Sequence, residues 1–158
     1  MRRSISCLLT LFALAASASH AADHYCPEFL AQEGGAEPGH RGEFTFSPYT
    51  IHWSNNPDYR HVYLVALDEQ LPGGRLCGIS LFFNSFGQPS TYIFPWGKVY
   101  RNVFERPGLF VKLTAGLPYG YRGKYENKVP FNYNGFSPAI VPAIGWEFEN
   151  KYQVQLNF

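Results

Sequence analysis

Long apolar runs are scarce in this 158-residue chain, and the one present sits at the start, in residues 7–16. Arg2 and Arg3 precede it and Ser19-His20-Ala21 follows it. A short basic segment, an apolar stretch and a small-x-small site form the layout of a secretory signal peptide, expected to be cleaved after Ala21. Nothing downstream approaches the roughly 20 consecutive apolar residues that a membrane-spanning helix needs. Charge is scarce too, at 16% of residues. The signal peptide carries two of the 13 Lys and Arg and none of the 12 acids, leaving a mature balance of 11 against 12. Such a near-neutral chain offers no nucleic-acid surface.

Cysteine is rare: of three, Cys7 leaves with the signal peptide, and Cys26 and Cys77 remain. One disulfide between them is compatible with an oxidising periplasm. The preferred reading is a buried Cys77 in a strand and an unpaired Cys26. Cys and His lack metal-ligand spacing and no Gly-rich phosphate loop is present, so neither a metal nor a cofactor is expected.

Aromatics, in contrast, are abundant: 18% of the chain, with 14 Phe and 11 Tyr. Residues 22–42 read as a polar, Gly-rich N-terminal extension with a helical turn or two near 26–32. Residues 43–158 read as one domain of seven short strands separated by turn signals. These are placed at 44–53, 61–70, 75–84, 91–100, 109–117, 138–148 and 151–158. The last alternates strictly, with Tyr152, Val154, Leu156 and Phe158 on one face and Lys151, Gln153, Gln155 and Asn157 on the other. The fifth alternates as well. Strands near ten residues long, with an apolar face and a terminal Phe, predict a small antiparallel outer-membrane β-barrel. A secreted β-sandwich is disfavoured because it rarely carries so much aromatic surface. The second and third strands are apolar on both faces, which predicts a lumen packed with side chains or one that receives an acyl chain.

In a barrel with both termini on the periplasmic side, the first and third strands end on the same outer rim. That puts His52 and Ser85 at one end, a proton acceptor and a hydroxyl nucleophile for acyl transfer. Two idle loop-edge residues would look the same.

The chain resembles the PagP family, the outer-membrane lipid A palmitoyltransferases. The resemblance is carried by an aromatic strand leading through Pro48 to Ile51-His52, by Phe83-Asn84-Ser85-Phe86, by Leu113-Thr114-Ala115-Gly116 and by a Pro-rich sixth strand. It runs in order from about Phe44 to the end. It implies an eight-stranded barrel with an acyl-binding interior, acting as a monomer on a phospholipid donor and a lipid A acceptor without a cofactor. His52 and Ser85 would be catalytic. Pro48, Pro138 and Pro142 would open gaps in the wall through which lipids pass. Two features depart from the family. Asn84 stands where an Asp precedes the serine, leaving a hydrogen-bonding group without charge. Seven strands are counted where single-chain barrels have an even number, so either an eighth is unrecognised or the family's last is lacking.

His52-Trp53-Ser54-Asn55 also resembles the H-x-S-N motif of PagL-type lipid A deacylases, with Ser54 as the alternative catalytic residue. His52 and Ser54 are two apart and would share a strand face. That motif lies near the C-terminus in its family, however, and near the N-terminus here. A structural or adhesive barrel without activity is the third reading.

Overall fold

The computed structural model describes residue 26 and residues 41–52, 56–149 and 151–158. The expected signal peptide, its cleavage site, nearly all of the extension and Ser54 lie outside the described residues. The chain is all-β: β1 (Arg41–Ser47), β2 (Leu64–Leu71), β3 (Arg75–Phe83), β4 (Pro89–Arg101), β5 (Leu109–Tyr119), β6 (Ala139–Phe148) and β7 (Tyr152–Asn157). They form one antiparallel sheet in sequence order, curled into a half-barrel. No helix among the described residues is long and apolar enough to cross a membrane. Among those residues, no backbone pairing joins the edge strands β1 and β7.

All seven expected strands are present, and the differences lie at their ends. β1 begins at Arg41 and stops at Ser47, instead of running on to Trp53. Pro48 follows, and a residue without an N–H cannot continue the ladder. His52 therefore sits in a loop rather than at a strand end. Pro138 likewise lies just before β6. Pro142 is inside β6, opposite Leu113 of β5, and its carbonyl accepts from Phe158 N at 2.9 Å. The β6–β7 ladder starts at Ala143. Among the described residues the outer third of β6 thus has a ladder only to β5.

Alternation decides which face each residue takes. On β5, Phe110, Lys112 and Thr114 are buried inside the curl while Leu117 points out. The convex face is predominantly apolar, with Phe44 at 68% and Leu156 at 65% exposure. Exposed aromatics mark both ends of this wall. Tyr100, Trp146, Phe148 and Tyr152 stand at one, Tyr63, Phe83 and Phe136 at the other. A bulge between Ile93 and Trp96 absorbs Pro95 and sharpens the curl of β4 onto β5. Gly116 permits this close approach, since a Cβ there would lie 2.1 Å from the Ile93 carbonyl oxygen.

The two ends differ. The turns at 72–74 and 102–108 lie at one end, and 48–52, 56–63, the tight turn 84–88 and the long connection 120–138 gather at the other. The concave side divides in the same sense. Leu76, Tyr92, Phe94, Val99 and Phe110 form its buried core. Toward the short turns the core gives way to a lattice of charged side chains. Lys112 Nζ bridges Glu43 (2.7 Å) and Asp68 (3.1 Å). Glu43 also accepts from Gln70, and Gln70 accepts from Arg101 at 2.6 Å. Arg101 and Arg41 both reach Glu147, at 3.3 and 3.2 Å. Paired this way, buried charges escape most of the cost of lost hydration.

The expectation of an unpaired Cys26 is corrected. Cys26 and Cys77 form a disulfide with a Cα–Cα distance of 5.6 Å. Cys77 faces the convex side beside Leu71, and Cys26 N donates to Glu69 Oε2 at 2.9 Å, which holds the N-terminal cysteine against the β2–β3 hairpin.

Candidate active site at the loop end

Strand parity brings His52, Asn84 and Ser85 to the same end, as the sequence predicts. Asn84 closes β3 and is 1% exposed. Its Oδ1 accepts from Phe86 N (3.0 Å) and Gln88 N (3.1 Å), and its backbone bonds Gln88 O and Gly87 N. This asparagine turn holds Ser85 at the crest of a tight loop. Asn84 Nδ2 donates to Gln88 Oε1 (3.3 Å) and to the Gly120 carbonyl (3.4 Å). The carboxamide is thereby used up in bonds to the turn and its neighbour. Its role is to hold Ser85, and it does not reach His52; the orienting role the family's Asp would imply is not seen.

The 56–63 segment packs against the turn, with Arg60 N donating to Ser85 O at 2.7 Å. Tyr59 lies between His52 and Phe86. Its ring stacks on His52 at 4.3 Å and tilts toward Phe86 at 5.6 Å. No hydrogen bond joins His52 to Ser85 among the described residues.

The 120–128 segment covers the other side of the turn. Arg122 N donates to Gln88 Oε1 (3.2 Å), and Gln88 Nε2 donates to Arg122 O (3.1 Å). The Tyr125 ring stacks on Phe86 at 4.2 Å. Tyr121 hydrogen-bonds the Ser85 side chain, and burial raises its phenol above the ordinary tyrosine range despite that bond. Lys124 is held above its usual value, chiefly by a hydrogen bond to Tyr125.

Below this end lies a cavity of about 310 Å³ inside the curl. Leu64, Phe82, Phe94 and Val141 give it apolar walls, with Tyr121 lining it at the loop end and Asp68 and Lys112 at the other. The apolar inward face of β2, read from Leu64 and Ala66, is thus a cavity wall.

Sequence reasoning missed Tyr121, Tyr59 and Gln88. All three lie in Tyr- and Gly-rich or polar connections without periodicity, and only the shared loop end singles them out. It also missed the charged lattice, although Glu43, Asp68 and Lys112 each occupy an inward position of their strands. Among the described residues one ligand-type cluster occurs, Cys26, Glu69 and Cys77, and its two sulfurs are bonded to each other. Comparison of the chain with protein-family models, with curated proteins and with solved structures finds no match.

Proposed function

We propose that this protein is an outer-membrane acyltransferase that moves an acyl chain, palmitoyl by the family resemblance, from a phospholipid to lipid A. One observation carries the reading: an apolar cavity inside a curled sheet is lined at the loop end by Tyr121, the end to which Ser85 and His52 also belong. The cavity suits a hydrocarbon chain, whose ester would then lie at the loop end. The predominantly apolar convex face, with aromatics at both ends, supports a wall set in lipid. Export by the signal peptide and a monomeric barrel belong to the same reading.

Ser85 Oγ adds to the donor ester carbonyl while His52 takes its proton. The lysophospholipid leaves with that proton, and the acyl chain stays on Ser85. A lipid A hydroxyl then gives a proton to His52 and takes the chain, restoring both side chains. No oxidant, metal or cofactor takes part. Pro142 and the short β7 support lateral passage of lipid, because the wall beside them has the fewest ladder bonds.

The test is mass spectrometry of lipid A from cells with and without the protein. A gain of one acyl mass is expected. A loss supports the deacylase reading. No change refutes enzymatic action on lipid A.

A further inference from the structure

Tyr121 is the side chain in which the cavity and the Ser85 turn meet. It lines the cavity at the loop end, and its hydroxyl is within reach of the Ser85 side chain. Its ring stands edge-on to Phe86 at 6.1 Å, with an interplanar angle of 81°. Three bonds fix the backbone that carries it. Asn84 Nδ2 donates to Gly120 O (3.4 Å), Asn132 Nδ2 donates to Tyr121 O (2.9 Å), and Arg122 N donates to Gln88 Oε1 (3.2 Å). Gly120 is in turn pressed against β4, since a Cβ there would lie 1.9 Å from Ser90 Oγ. The backbone that carries the phenol is therefore held in place before any substrate arrives.

An acyl chain lying in the cavity with its ester at the loop end brings the ester carbonyl to Ser85 and Tyr121 together. We propose that Tyr121 is a catalytic residue whose hydroxyl donates a hydrogen bond to the oxyanion formed when Ser85 adds to that carbonyl. The inference rests on the acyl-transfer reading above. As the Ser85 Oγ–carbon bond forms, the carbonyl π pair moves to oxygen, and the Ser85 proton passes to His52. Tyr121 keeps its own proton throughout and donates a hydrogen bond to the new negative charge. When the lysophospholipid departs, the pair returns to the carbonyl. A fixed donor at the site of developing charge is among the largest contributions a protein makes to acyl transfer. The raised phenol pKa suits the role, because the hydroxyl stays protonated across the neutral range. The same donor would serve the second addition, by the lipid A hydroxyl on the acyl-serine.

The test compares the full-length protein with Tyr121→Phe and Ser85→Ala in detergent micelles, with a phospholipid donor and lipid A acceptor. Phe keeps the ring against Phe86 and removes only the hydroxyl, and heat-modifiable migration in gels checks that each variant is folded. Tyr121→Phe is expected to lower kcat about a hundredfold with KM for phospholipid nearly unchanged, the pattern of a lost transition-state donor. If the parent transfers, Ser85→Ala does not, and Tyr121→Phe keeps most of its kcat, the inference falls and the acyl-transfer reading stands. A rise in KM with kcat unchanged also overturns it, since the hydroxyl would then act in substrate binding. If the parent transfers no acyl chain, both readings fall together.

Discussion

Asn84 Nδ2 donates to the Gly120 carbonyl oxygen at 3.4 Å, a bond across 36 residues of chain that ties the Ser85 turn to the segment carrying Tyr121. One neutral amide thus holds two loops of the site in register. A carboxylate could accept from Phe86 N and Gln88 N but could donate to neither Gly120 O nor Gln88 Oε1.

Asn84→Asp is accordingly expected to lower activity rather than restore a missing catalytic acid. It would set a buried negative charge against two acceptor oxygens. Asn84→Ala leaves two backbone donors unpaired and should cost about 1–3 kcal/mol. Acyl-transfer rates and urea unfolding of both variants in detergent check this. A several-fold gain in rate from Asp would refute the structural role.

His52→Ala and Ser85→Ala should each abolish transfer while the sheet stays folded, because neither residue belongs to the buried core. Ser54→Ala should be silent. Loss of activity in Ser54→Ala, with Ser85→Ala unaffected, would transfer the chemistry to the deacylase motif.

Lys112 faces two carboxylates at 2.7 and 3.1 Å, and all three side chains are almost fully buried. Lys112→Met strands Glu43 and Asp68 together and should cost about 3–5 kcal/mol. Adding Glu43→Gln and Asp68→Asn to that variant should recover most of the loss, since no bare charge then remains. Urea unfolding in micelles or liposomes measures both steps. Equal stability of the single and triple variants would show that the lattice is electrostatically idle.

The Cys26–Cys77 bond spans 51 residues. Cross-links closing loops of this size contribute about 2–4 kcal/mol, by a mechanism that depends on the model chosen. Neither cysteine of the oxidised protein should react with an alkylating reagent, and both should react after reduction. Cys77→Ser should lower the urea midpoint by an amount reduction of the parent reproduces. Full alkylation without reductant would exclude the bond.

Much of this architecture is legible in the sequence for a simple reason. Alternation in 109–117 and 151–158 fixes faces, and strand parity fixes ends, so the shared loop end of His52 and Ser85 follows without knowing any contact. Boundaries are less legible, because proline acts on the backbone ahead of any side-chain pattern, as Pro48 does in stopping β1. The partners of Asn84, Lys112 and Cys26 are not legible at all. Each meets residues from distant strands or loops, and only the curl of the sheet brings them together.

Glu147 accepts from Arg41, 106 residues earlier in the chain, and from Arg101, 46 residues earlier. The first contact must wait until the sixth strand has been laid down, and closing so long a loop is entropically slow. A nascent sheet ending before β6 would have Arg41 with no such latch, and Val141 and Ala143 would be missing from the cavity wall. The interior and the latch therefore come into being in one late event, so a chain caught partway through assembly would be a ribbon with no inside in which to hold a lipid.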